Sequence, residues 1–214
     1  MKGDFDKLPF NDSFLIASFY SKDISIVPVL VGALSEDREA FYGGILAPYL
    51  NSPDTFFVIS SDFCHWQVQN SVLHYQNQHL FLIRGTRFSY TYYYPEPAPS
   101  VTPGIQLSRS KAPSAAHPIH ESISRLDHEA IDLLTLPPST ATNAHGQFAQ
   151  YLSRTKNTIC GRHPIGVLLG ALSSLEKSNN GIQPTVKWVR YEQSSQCHTI
   201  RDSSVSYASA YVRF

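Results

Sequence analysis

Two uninterrupted apolar runs, Ile24 to Leu34 (ISIVPVLVGAL) and Thr55 to Ser60 (TFFVIS), flank a stretch with helical spacing. This arrangement rules out most folds. Runs rich in β-branched and aromatic residues, without polar alternation, read as strands covered on both faces. Pro28 removes one ladder donor and points to an edge or a bulge. Between the runs, Ser35-Glu36-Asp37 has the composition of a helix start, a cap followed by acidic first-turn residues. Arg38 to Leu50 then places Phe41, Ile45 and Tyr49 at helical intervals, and Pro53-Asp54 makes a turn. Strand, helix and strand in about 40 residues form a βαβ unit, so the expected class is α/β with a mostly parallel sheet.

Beyond this unit the pattern changes. Six of the fourteen prolines lie between Pro95 and Pro118. Residues 91–120 therefore read as a long irregular loop, of the kind that is functional or disordered. Helical spacing returns from Glu121 to Leu136, with Ile123, Leu126, Ala130, Ile131 and Leu134 on one side. A second helix is predicted over Asn143 to Arg154. A third begins around Pro164, which suits a first helical turn, and Asn179-Asn180-Gly181 stops it. Thr185 to Tyr191 and Ser204 to Phe214 alternate and read as strands. Residues 1–23 carry no periodicity and are read as an atypical N-terminus.

The totals exclude several functions. The chain has 214 residues, is 16% charged and has a formal net charge of +0, so no nucleic-acid or anionic-membrane partner is expected. The patch from Phe14 to Phe19 is too short to span a bilayer and lacks the positive flank of a signal peptide. Three cysteines (Cys64, Cys160 and Cys197) are an odd count without a CxxC pair, which points to a reducing compartment. The expected location is cytoplasmic, with the nucleus also open.

Chemistry-bearing residues concentrate in Ser60-Ser61-Asp62-Phe63-Cys64-His65-Trp66 and in Asn157-Thr158-Ile159-Cys160-Gly161-Arg162-His163-Pro164-Ile165-Gly166. Just past a strand end, Asp62 and His65 can converge as a base or a metal-binding pair; the alternative is a capping Asp and a packed imidazole. Cys160 precedes a helix start, where the dipole and neighbouring Arg162 or His163 favour thiolate, a nucleophile and metal ligand; the alternative is a buried, inert thiol. Cys64 reads as a small core residue. Cys197 and His198 read as loop residues. His117, His120 and His128 read as solvated loop or helix surface.

Four ordered segments carry a resemblance: VPVLVGALSE (Val27 to Glu36), VISSDFCHW (Val58 to Trp66), NTICGRHPIGVLL (Asn157 to Leu169), and YEQSSQC with DSSVSYAS (Tyr191 to Ser209). Together they resemble the Memo family, named for mediating receptor-tyrosine-kinase-driven cell motility. The resemblance implies a three-layer α/β domain similar to class III extradiol dioxygenases. It implies a pocket that binds iron or copper through two histidines and a cysteine. That cysteine matches Cys160, while Asp62 and His65 match pocket residues, His65 resembling the catalytic His of the dioxygenases. A cysteine in place of the dioxygenases' carboxylate favours softer ions and argues against ring-cleaving catalysis.

The segment bearing the family's two metal-binding histidines has no counterpart in this sequence. The expectation is therefore a partial domain over residues 24–214 that lacks the N-terminal half of the sheet and holds a metal weakly or not at all. Gln67 to Arg84 interrupts the family pattern and reads as an insert, expected to be a translated intron; the alternative is a genuine surface loop. Three functions follow from the resemblance: a metal-binding redox protein in signalling or motility, a non-catalytic adaptor for a phosphotyrosine peptide or signalling protein, or a truncated, inactive product.

Overall fold

The computed structural model describes residues 25–66, 91–92, 105–106, 118–178 and 183–214. The chain divides into two compact units, residues 1–30 with 69–88 and residues 31–68 with 89–214. Of the first unit only residues 25–30 are described, as exposed, irregular backbone. The expected insert and the atypical N-terminus lie outside the described residues.

Every element described belongs to the second unit. Its helices are α1 (Glu36–Leu50), α2 (Ile119–Leu134), α3 (Ala141–Thr155) and α4 (Arg162–Lys177). Its strands are β1 (His65–Trp66), β2 (Thr91–Tyr92), β3 (Ile105–Gln106), β4 (Thr185–Gln193) and β5 (Ser204–Arg213). The class is mixed α/β, as expected, but the described sheet is antiparallel, in the order β1-β5-β4. β2 and β3 form a separate antiparallel pair inside the proline-rich stretch.

The expected βαβ unit keeps its helix and not its strands. Residues 25–34 and 55–60 join no ladder among the described residues. An apolar run becomes a strand only where a neighbour supplies N–H and C=O groups about 4.8 Å away. One side of the second run is uncovered, with Phe56 87% and Val58 62% exposed, while Phe57 and Ile59 are half-buried. Only at its end does this stretch reach the sheet. Phe63 N–H donates to Ser206 O at 2.8 Å and Ser206 N–H donates to Cys64 O at 3.0 Å, which leads the chain into β1.

The β4–β5 hairpin carries a bulge at Val189. The extra residue points to solvent, and alternation resumes so that Val186, Trp188 and Tyr191 share the inner face with Ala208 and Val212. Against that face pack Phe148 and Tyr151 of α3, Leu169 and Leu172 of α4, and Ile131 and Leu134 of α2. α2 buries its predicted apolar stripe, and α3 and α4 form where helices are predicted.

α1 does not. Phe41, Ile45 and Tyr49, whose spacing predicts the helix, are exposed, and its buried stripe is Glu39, Gly43 and Ala47. The contact with α4 is backbone on backbone. A Cβ on Gly43 would fall 2.4 Å from Ala171 N, so no other residue fits. No described helix is long and apolar enough to cross a membrane.

Candidate functional site

The two motif segments lie side by side. Residues 61–65 approach β1, while residues 157–161 connect α3 to α4. Lys156, in the left-handed region at φ 57°, ends α3 and turns the chain into this connection. Gly161 N–H donates to Ser61 Oγ at 3.0 Å, across 100 residues of sequence. Thr158 Oγ1 accepts from His65 N–H at 3.0 Å and donates to His65 O at 3.3 Å. Pairing 61 with 161 and 65 with 158 makes the segments antiparallel, with four residues on one side spanned by three on the other, and the segment carrying Cys160 lies against the one carrying Asp62 and His65. A Cβ on Gly161 would fall 2.4 Å from Ser61 Cβ, so the close approach needs glycine.

Asp62 Oδ1 and His65 Nε2 come within 2.8 Å, with both side chains 28% exposed. The contact is an ion pair rather than a hydrogen bond, and among the described residues neither atom, both shielded from solvent, has a hydrogen-bond partner. Cys160 is exposed, so it is not the buried, inert thiol of the alternative reading. Cys64 and Cys197 are buried in one apolar cluster with Trp66, Ile119 and Ile123. Burial pushes the Cys64 thiol well above its ordinary pKa, with Asp127 and Cys197 adding to the effect. Burial likewise pushes Cys197 up to about 11. His163, one of the two neighbours expected with Arg162 to favour the Cys160 thiolate, is engaged elsewhere: its Nδ1 lies 2.6 Å from Glu39 Oε1.

Two polar centres escape the sequence reading. Glu39 is one. Its carboxylate lies between His163 and His145, whose Nε2 is 2.8 Å from Oε2, and it occupies the space Gly166 leaves by having no Cβ. Asp127 is the other, fully buried on α2. It accepts from Cys64 N–H, the Asn157 amide and the Tyr191 hydroxyl. Burial raises its pKa, while hydrogen bonds from Ser206, Asn157, Tyr191 and Cys64 pull the other way. A signal existed: Asp127 falls inside the apolar stripe of Ile123, Leu126 and Ala130, where a lone carboxylate is costly unless it is hydrogen-bonded.

The family model described as Memo-like protein matches residues 8–211. The chain belongs to the Memo-like family. Protein MEMO1 of Xenopus laevis is 40% identical over 190 residues, covering 88% of this chain and 48% of that protein. The Homo sapiens Protein MEMO1 is 37% identical over the same length. The Caenorhabditis elegans Protein memo-1 homolog is 35% identical over 197 residues, 92% of this chain and 44% of that protein. This Memo-like chain thus spans about half the length of the curated relatives it matches.

Proposed function

We propose that this Memo-like chain forms one wall of a metal-binding pocket with a redox role in cell signalling. Cys160 is the thiolate ligand, and Asp62 with His65 is the adjoining acid–base pair. The observation that carries the reading is the antiparallel seam. It lays the segment that carries an exposed cysteine against the segment that carries the Asp62–His65 contact, whose facing atoms are shielded from solvent without a hydrogen-bond partner among the described residues. Buried polar atoms left in that state are costly, and a cation beside them removes the cost.

The fit to a metal is partial. Among the described residues no three His, Cys, Asp or Glu side chains gather as a metal site. The cavity beside Cys64 and Thr158 has a volume of about 20 Å³, too small for an organic substrate. No chemical step is therefore assigned to a bound ion. Thiolate with imidazole suits iron or copper(I) better than hard oxygen-seeking cations.

Anaerobic titration of the purified chain with Fe(II) and with Cu(I), followed by metal analysis, tests this. Cys160→Ser is expected to weaken uptake by roughly tenfold or more, and His65→Ala by a smaller factor. Uptake that ignores both substitutions sinks the reading. A chain that takes up no metal and binds a phosphotyrosine peptide replaces it with the adaptor.

A further inference from the structure

The seam is held by a residue outside both motifs. One carboxylate oxygen of Asp127 accepts from Cys64 N–H at 3.2 Å and from Asn157 Nδ2 at 3.0 Å. Cys64 immediately precedes His65, and Asn157 opens the segment that contains Cys160. A single buried atom thus bridges the two sides of the site. The other oxygen accepts from the Tyr191 hydroxyl at 2.9 Å. Asn157 has little freedom to leave, because the same amide nitrogen also donates to Tyr151 Oη at 2.8 Å, and that hydroxyl donates to Leu126 O at 2.8 Å.

Asp127 makes no ion pair among the described residues. It is held by backbone and side-chain dipoles drawn from β4, from Ser206 of β5, from the start of the 157–161 connection and from the approach to β1. Removing an acceptor shared by several buried donors leaves all of them unsatisfied. The damage falls on the backbone of Cys64 and on the anchor of the Cys160 turn.

We propose that Asp127 is a positioning residue for the Cys160 site, fixing how the Asp62–His65 wall sits against the turn that presents the thiol. The inference rests on the reading of Cys160 as a functional residue, but its test does not need a metal. Cys160 is exposed and Cys64 and Cys197 are buried, so alkylation mapped residue by residue separates local from global loosening.

The experiment is iodoacetamide labelling of the folded full chain, with each cysteine quantified by peptide mass spectrometry. Asp127→Ala is expected to raise labelling of buried Cys64 roughly tenfold while Cys197 stays protected and exposed Cys160 changes little. Asp127→Asn keeps one oxygen for Cys64 and Asn157 and turns its amide toward Tyr191, so it returns the rate to near wild type. Tyr191→Phe touches only the second oxygen and leaves the rate unchanged. If Asp127→Ala does not fold, Asn157→Ala takes its place, with the same rise expected.

A wild-type Cys64 rate in the alanine variant, or Cys64 and Cys197 labelling rising together, overturns the proposal. So does an Asn variant that behaves like Ala. A wild-type chain that takes up no metal sinks the metal reading and leaves this test standing.

Discussion

Cys64 and Cys197 share one apolar cluster, and the desolvation that raises both thiols makes stability depend on alkaline pH. In an unfolded chain a cysteine ionises near pH 8.5. In the folded chain Cys197 holds its proton to about pH 11, and Cys64 holds its own well past its ordinary range. A folded pKa raised above the unfolded one contributes stability that is fully present below the unfolded value and lost as pH rises through the folded value. The urea midpoint is therefore expected to fall between about pH 8.5 and about pH 11. Cys197→Ala should flatten part of that slope. A midpoint that stays level across the window contradicts the assignment.

Helix α1 meets α4 through absent side chains rather than interlocking ones. Gly43 of α1 abuts Ala171 N, and Gly170 of α4 abuts Ala40 Cα. Gly43→Ala must push the two backbones apart, and a loss of about 2–3 kcal/mol is expected from urea unfolding. A change near zero would mean that the helices separate freely. This contact also explains what the sequence conceals. α2, α3 and α4 are legible because large apolar residues repeat on the face they bury. α1 is legible as a helix but not by face, because glycine and alanine make its contact while Phe41, Ile45 and Tyr49 point outward. The strands of the expected βαβ unit are legible only as apolar runs, since pairing depends on neighbours that the runs do not encode. Asp62, His65 and Cys160 stand out as motif residues. Their seam does not, because it joins positions 93 to 100 residues apart, and Asp127 hides as one polar residue in an apolar stripe.

Over the whole molecule, large apolar side chains on the second unit remain uncovered. Phe41, Tyr42, Ile45 and Tyr49 on α1, together with Phe56 and Val58, are all exposed. Scattered exposed apolar residues are ordinary, but a helix with aromatic residues outward and glycine inward has the composition of an interior element. Concentration-dependent self-association is expected, measured by sedimentation velocity at increasing protein concentration. Phe41→Lys with Phe56→Lys should lower it without shifting the urea midpoint by more than about 0.5 kcal/mol. A monodisperse monomer that the double substitution leaves unaltered argues against this.

The antiparallel seam also sets a timetable for synthesis. Thr158 leaves the ribosome 93 residues after His65, a wait of roughly 5–20 s at ordinary elongation rates. Asp127 is made 63 residues after Cys64 and the second segment only at the end of the interval, so until then Cys64 lacks the full cover that the finished fold gives it. The nascent chain is thus most open to thiol oxidation before Cys160 has even been made, and the order of translation fixes which cysteine is vulnerable first.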